Sequence, residues 1–575
     1  MEFEARWNDL VSMFYESVET HGSRPLFGIK RDDGWSWTTY QEVGALVDAM
    51  RAGLATHGVE RGDRVAIISN NRLEWFVGAF ATYSLGAVYV PMYEHQLDKD
   101  WHYILNDCGA RVALVANTAV QERVSKLQAE LPELKALVNL DSDYEDLLAQ
   151  GRAAPVDPII PEPQDLSCMI YTSGTTGNPK GVRLTHINTS SMVSAITRVI
   201  PIAPDDRSLA FLPWAHLFGS GIEVNGLLSI GASIGICEDT TQLIGQLPEV
   251  RPTILFAVPR IWNRIHDGVQ KQMRAKPAII RSIFHAGMSA AGKEKRGQSK
   301  TLWEMIALPL AKALIFGKIK EKFGGRLRFA ASGSAALSPD VAEFVDNLGI
   351  VVLEGYGMTE GSGCTTVNLV EERRIGSVGK ALPGTKITLD HDVVGADAIN
   401  GEIIIWGHGV MQGYHNLPEV TEATLTSDGG LRSGDLGRFD EDGFLFITGR
   451  VKEIYKLENG KYVAPAPLEE QLTLSPYIAQ IMIYGANKRH NVALVVADQE
   501  GLTELGPQTP DQLKALLRAE IDKYSKEFKG FERVREFVIL DEAFSMENGM
   551  LTPTLKIKRR IVVKEHGATL DGLYA

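Results

Sequence analysis

Cysteine is scarce in this chain. Four residues among 575, Cys108, Cys168, Cys237 and Cys364, are scattered with no C-x-x-C pair. Such spacing suggests neither a disulfide framework nor a thiolate metal site, and it fits a reducing cytoplasm. Long apolar runs are missing too. The most apolar stretch, 76–90, falls short of the ~20 residues that a spanning helix needs and contains glycines and tyrosines. No membrane span is expected. The start, Met1-Glu-Phe-Glu-Ala-Arg6, lacks the basic opening and apolar core of a signal peptide. Positive charge is also in deficit: 59 Lys and Arg face 72 Asp and Glu, a formal net charge of −13. That balance argues against a general nucleic-acid binder and against a purely electrostatic grip on an anionic membrane. Any anionic substrate must be met by a local basic patch.

What is present is concentrated in Tyr171-Thr-Ser-Gly-Thr-Thr-Gly-Asn-Pro-Lys-Gly181. The apolar run 166–171 reads as a buried strand feeding a loop of hydroxyls and glycines closed by one lysine. Glycines let the backbone approach a ligand, hydroxyls donate to anionic oxygens, and Lys180 adds a point charge. The composition suits phosphates. It is not a Walker loop, which needs Gly-Lys-Ser/Thr where this chain has Pro179-Lys180-Gly181. Taken without context, a loop rich in Ser, Gly and Thr is more often a flexible surface connection.

At this length several subdomains are expected. Thr39-Tyr-Gln-Glu42 is a capping box, followed by Val43, Leu46, Val47, Met50 and Leu54 at helical spacing. Strands at 64–69, 87–90 and 110–116 alternate with helices at 74–85 and 99–106. Alternation of this kind predicts a parallel sheet with helices on its faces and ligands beyond the strands' C-terminal ends. Further along, Phe211-Leu-Pro-Trp-Ala-His-Leu-Phe218 holds a histidine among aromatics. The stretch 261–323 reads as helical, with a basic cluster at Lys293-Glu-Lys-Arg296. Charge runs are usually solvated faces, and docking of phosphates or lipid headgroups is the secondary reading. Strands at 326–332 and 350–353 run into Gly333-Ser334 and Glu354-Gly-Tyr-Gly-Met-Thr-Glu360. Strands at 402–406 and 443–448 flank Ser433-Gly-Asp-Leu-Gly437, where an Asp after Gly is commonly a turn residue. After residue 452 a compact α+β unit is expected, with strands at 478–484 and 492–496 and a helix capped by Thr509-Pro-Asp-Gln512. The chain approaches its end with Leu551-Thr-Pro-Thr-Leu-Lys-Ile-Lys-Arg-Arg560, blandly a solvated basic tail.

These blocks, in this order, resemble the adenylate-forming superfamily of acyl-CoA synthetases, luciferases and peptide-synthetase adenylation domains. The resemblance runs from about the first capped helix to Arg560. It implies an α/β protein: a large N-terminal domain of parallel-sheet subdomains (1–449), a hinge (450–452) and a small mobile α+β C-terminal domain (453–575). It assigns nucleotide contacts to Thr172, Ser173, Gly174, Thr175, Thr176, Gly177, Lys180, Gly333, Ser334, Gly355, Tyr356, Gly357 and Met358. Tyr356 would stack on adenine, while Gly355 and Gly357 leave room for AMP. Asp435 would grip both ribose hydroxyls, with Arg450 as a second ribose contact and Lys452 at the hinge. Thr359 would bond the α-phosphate and Glu360 would hold Mg²⁺. His216 would lie near the carboxylate under attack, and Lys556 would serve the adenylation step. The helical insertion, the block 457–465 and the Thr-Leu-Lys ending are most similar to long-chain fatty acyl-CoA synthetases. The implied reaction joins a fatty acid to CoA at the expense of ATP, with AMP and pyrophosphate as products. Expected partners are therefore the fatty acid, ATP, Mg²⁺ and CoA, with no nucleic acid, at most peripheral membrane contact, and a homodimer left open. The alternatives are a ligase for another carboxylic acid, one loading a carrier protein, or a nucleotide binder without catalysis.

Overall fold

The computed structural model describes residues 3–172, 178–392, 399–503, 505–552 and 555–575. The first capped helix forms as its pattern dictates. The Thr39 hydroxyl accepts from the Glu42 N–H, the Glu42 carboxylate accepts from the Thr39 N–H at 2.7 Å, and Tyr40–Thr56 buries Val43, Val47 and Leu54.

The central seven-stranded sheet runs in the order Gly413–Tyr414, Lys180–Thr185, Leu166–Thr172, Val88–Met92, Arg64–Ile68, Val112–Val115, Ala136–Asn139. Its last five strands are parallel, as the strand-helix alternation predicts. Leu166–Thr172 belongs to that parallel set, so Thr172 emerges at the C-terminal edge. The chain then returns antiparallel as Lys180–Thr185, with Thr172 opposite Lys180. A second sheet begins with three parallel strands, Ile254–Ala257, Phe329–Ser332 and Val352–Tyr356. The N-terminal strand Pro25–Arg31 pairs in parallel with Ser233–Ile236 in a third. One continuous apolar core spans these layers, from Trp7 and Phe14 through Trp214 to Leu445.

One unit departs from the alternation. Thr385–Asp390, Gly401–Gly407, Leu431–Phe439 and Leu445–Arg450 form a wholly antiparallel sheet. The block 433–437, expected as a connection between strands, lies inside one of them. A register shift between Leu436 and Gly437 kinks that strand locally, as an extra residue in a ladder does.

The smaller C-terminal part is a three-stranded sheet, Ile478–Tyr484, Asn491–Ala497 and Val534–Leu540, whose two faces are both covered. Strand alternation explains this: Ala493 and Val495 face one core, Val492 and Leu494 the other. The Thr509 capping box opens Pro510–Tyr524, which seals the first face with Leu517 and Ile521. Arg559 locks the unit internally, its guanidinium paired with Glu469 and, at 3.5 Å, with Glu453. Among the described residues no helix is long and apolar enough to cross a membrane.

Candidate active site

Thr172 and Lys180 stand opposite each other where the central sheet opens. Ser173, Gly174, Thr175, Thr176 and Gly177 lie outside the described residues. Lys180 is half-buried, and its Nζ lies 4.3 Å from the centre of the Tyr414 ring. Tyr414 comes from the edge strand that pairs with Val182. Its hydroxyl donates a 2.8 Å hydrogen bond to Oε1 of Glu360. Burial pulls the Lys180 ammonium below its usual range; the Glu360 carboxylate opposes that pull and Lys452 adds to it. Lys180, Tyr414 and Glu360 are thus one contact chain linking two segments far apart in sequence.

Glu360 sits on a single tight turn, Thr359–Gly361, after Val352–Tyr356, and both Thr359 and Glu360 are buried. The turn is tied down by its neighbours. The Met358 carbonyl accepts the N–H groups of Gly361 and Gly363, and the Glu360 carbonyl accepts that of Met411. A Cβ on Gly357 would lie 2.3 Å from the Gly363 carbonyl oxygen, and one on Gly355 would lie 3.1 Å from that of Thr366. Backbone crossing backbone therefore gives both glycines a packing reason, whatever else they accommodate. Gly333 faces the Phe218 ring, and Ser334 next to it holds a left-handed φ of 70°. Non-glycine residues in that region store strain, which concentrates at ligand sites.

Asp435 and Arg450 are cross-strand partners in the antiparallel sheet. One Asp435 oxygen accepts from Arg450 Nε at 2.7 Å, the other from the Tyr356 hydroxyl at 2.8 Å. The Asp435 N–H donates to Ser433 Oγ at 3.0 Å. Asp435 raises the Arg450 guanidinium further above its ordinary value, while burial, reinforced by Asp435, drives the Tyr356 phenol well up. Three expected nucleotide contacts therefore form one hydrogen-bonded group.

His216 is half-buried, and its Nδ1 accepts the Phe218 N–H at 3.2 Å. In the neutral ring the proton then belongs on Nε2. Burial, with Lys556 adding, holds its pKa down to about 4. Lys556 belongs to the C-terminal part; the residue is exposed, and its own N–H is bonded to Thr552 Oγ1 at 3.0 Å. Its ammonium is pulled below the usual range by the surrounding protein first and Arg450 second, against Asp435, Glu453 and Glu360. It thus lies within electrostatic reach of the ribose pair, the Glu360 turn and His216. Lys452 is exposed on the turn where Arg450 accepts the N–H groups of Glu453 and Ile454, both at 3.0 Å.

Among the described residues, Lys180 and Glu360 meet at Tyr414, and Tyr356, Asp435 and Arg450 form one hydrogen-bonded group, with Gly355, Gly357, Met358 and Thr359 next to these in the chain. Tyr414 and Glu453 belong to the crevice as well and carry no local sequence signal, whereas Ser433 opens the block already singled out around Asp435. Tyr414 is found only through the pairing of its strand with Lys180–Thr185.

An AMP-binding enzyme family matches residues 14–415, and an AMP-binding enzyme C-terminal domain matches residues 452–575. The chain is 32% identical to a peroxisomal long chain acyl-CoA synthetase of Arabidopsis thaliana, covering 98% of this chain and 86% of that protein. It is 30% identical to a long-chain-fatty-acid–CoA ligase of Mycobacterium bovis, covering 99% and 97% respectively. Among solved structures, the adenylation domain of a carboxylate reductase from Mycobacterium chelonae superposes with a TM-score of 0.80. That likeness covers 98% of this chain and 91% of the other at 24% identity, and it bears on the fold alone.

Proposed function

We propose that this chain, which belongs to the AMP-binding enzyme family, activates a long-chain fatty acid as its acyl-adenylate and transfers the acyl group to CoA. The observation that carries the proposal is the convergence of Lys180, Glu360, the Tyr356–Asp435–Arg450 group and Lys556 on one crevice. The long acyl chain rests on the relatives that match nearly the whole chain.

A carboxylate is a poor electrophile because its charge and resonance both oppose a thiolate. Attack of its oxygen on the α-phosphorus of ATP forms the acyl–O–P bond and expels pyrophosphate. The CoA sulfur then adds to the carbonyl carbon, and the acyl–oxygen bond breaks to release AMP. The first step needs the triphosphate neutralised, the carboxylate aligned and charge on phosphorus stabilised. Lys180 supplies a cation at the loop that carries the hydroxyls. Asp435, with two acceptor oxygens, suits the two ribose hydroxyls, and Arg450 holds it in orientation. Lys556 offers a movable cation at the same crevice, and His216 offers an Nε2–H donor to the acid. Glu360 fits Mg²⁺, a hard cation that takes few protein oxygens and completes its shell with phosphates and water. Bound there, Mg²⁺ would supply charge neutralisation between carboxylate and phosphate.

The two half-reactions compete for one approach to the carbonyl. Residues 450–452 act as a hinge between the domains 1–449 and 453–575. Rotation there would withdraw Lys556 and bring the exposed hairpin turn 458–461 toward the carbonyl under attack.

The test is pyrophosphate release with ATP and Mg²⁺ across acids from acetate to oleate, with and without CoA. CoA-dependent turnover that peaks at long chains is expected. A peak at short or aromatic acids overturns the substrate, and absence of acid-dependent release overturns the enzyme.

A further inference from the structure

Seven of the fifteen large hydrophobic side chains exposed among the described residues fall between 279 and 314. Six of them, Leu302, Trp303, Met305, Ile306, Leu310 and Leu314, share the outer face of one helical run. That run begins with the capping box Thr301/Glu304, spans Leu302–Ala311, and continues through a π-helical turn, Lys312–Phe316. Its inner face is apolar too, with Ala307, Leu308, Ala311 and Ile315 buried. Helices that are apolar all round are ordinarily covered on every side. Here Leu302 remains 77% exposed and Ile306 56%.

Charge around the stripe has an unusual sign. Residues 259–326 hold fifteen Lys and Arg against four Asp and Glu, a net +11 within a chain of −13. The cluster 293–296 is already engaged: Lys293 pairs with Glu304 at 2.7 Å, Lys295 with Asp346 at 2.6 Å, and Arg296 with Glu343 at 3.5 Å. Pairing with Lys293 also turns Glu304 inward and leaves the outer face without an acid. By contrast Lys276, Arg281 and Lys318 are exposed and, among the described residues, make no ion pair. The antiparallel packing that sets Gly287 against Ala311 and Phe284 against Phe316 brings Ile279 and Arg281 toward the Leu314–Lys318 end.

The geometry points to an interfacial membrane-docking surface: the Leu302–Leu314 face lies on a bilayer containing anionic lipid, flanked by Lys276, Arg281 and Lys318. An apolar stripe bordered by lysine and arginine, with a tryptophan at its edge, matches what headgroup and acyl boundary together offer. A second copy is the poorer occupant, because a twofold contact through this face would oppose two +11 segments. None of these surface residues is among those of the nucleotide crevice, so the proposal does not depend on the reaction.

The experiment is co-sedimentation of the full chain, without substrates, with vesicles of phosphatidylcholine alone or mixed with phosphatidylglycerol. Wild type is expected to partition at least tenfold more strongly onto the mixed vesicles. The triple variant Leu302→Ser, Ile306→Ser, Leu310→Ser should lose that binding on both compositions. Lys276→Gln, Arg281→Gln, Lys318→Gln should lose only the preference for the anionic lipid. All these positions are solvent-facing, and unchanged turnover of a short, water-soluble acid confirms folded protein. Equal partitioning of the triple variant and wild type overturns the proposal. So does a lipid-free dimer, seen by sedimentation velocity, that the triple variant abolishes.

Discussion

Replacing Tyr414 with Phe isolates one hydrogen bond in the crevice. The hydroxyl donates to Glu360 at 2.8 Å, while the ring lies 4.3 Å beneath the Lys180 ammonium. Phe keeps the ring and removes only the donor. A hydrogen bond to a charged group contributes about 1.5–3 kcal/mol, and an unpaired buried acceptor costs about as much. Since Glu360 is buried, the loss should fall in the upper part of that range, about 2–3 kcal/mol, or roughly thirty- to a hundred-and-fiftyfold in rate. Tyr414→Ala additionally removes the cation–π contact, about 0.5–2 kcal/mol more. The loss should appear in adenylation, measured as pyrophosphate release, together with a higher half-saturating Mg²⁺ concentration. Transfer from a preformed acyl-adenylate to CoA, followed in a single turnover, should change less than twofold. Equal losses in both half-reactions would mean that Tyr414 merely stabilises the fold. An unaffected Phe variant would mean that Glu360 does not depend on its donor.

Lys556→Ala should slow adenylation by ~100- to 1,000-fold, the usual effect of removing one charge-stabilising group from a desolvated site. Acyl transfer from supplied adenylate should survive, and a loss of both would contradict the division of labour. Lys452→Pro restricts the backbone at the hinge and should slow thioester formation while sparing pyrophosphate release; a uniform loss would count against rotation there. Glu223, on the π-helical turn Phe218–Val224, is fully buried, with the Ser208 hydroxyl facing its carboxyl group. Burial pushes its pKa up to about 8. Between its unfolded value and pH 8 the folded chain holds a proton that the unfolded chain has lost, so stability falls as pH rises through that window, by about 3 kcal/mol at pH 7. Glu223→Gln should remove this slope, so that wild type loses thermal stability relative to the variant between pH 5 and 8. Parallel profiles would show that the group is not buried as an acid.

Local chemistry was the legible part of this sequence. The capping boxes at Thr39 and Thr509 formed as written, and the strand 478–484 fell where alternation put it, because both signals are complete within a few residues. The glycine block 354–360 also stood out, although Gly357 answers first to the backbone of Gly363. Features made by distant pairing were hidden. Tyr414 enters the site because its strand lies beside Lys180–Thr185, more than two hundred residues earlier. Composition alone makes Asp435 commonly a turn residue, and only the resemblance joined it to Arg450; it occupies a strand whose partner delivers Arg450. The cluster 293–296 read as a solvated charge run, yet its carboxylate partners come from another helix of the insertion and from the helix Pro339–Asn347.

Electrostatics in the crevice connects these features to the ligand. The chain is acidic overall, yet Lys180, Lys452, Arg450 and Lys556 gather within reach of only a few carboxylates. Both Lys180 and Lys556 are pulled below their usual range, each by burial and by another cation nearby. A depressed lysine marks a place where positive charge is costly until a counter-charge arrives. Glu360 and Asp435 offset part of that cost, but each is already engaged, by Tyr414 in one case and by Arg450 with Tyr356 in the other. The remaining imbalance favours a polyanion. On the proposed reading, a triphosphate held by Lys180 and Lys556 would relieve this cost without first reorganising the protein, which is the preorganisation that phosphoryl chemistry requires. On the rotation proposed above, withdrawal of Lys556 would leave AMP, with less charge to hold, to the Asp435 group and Lys180.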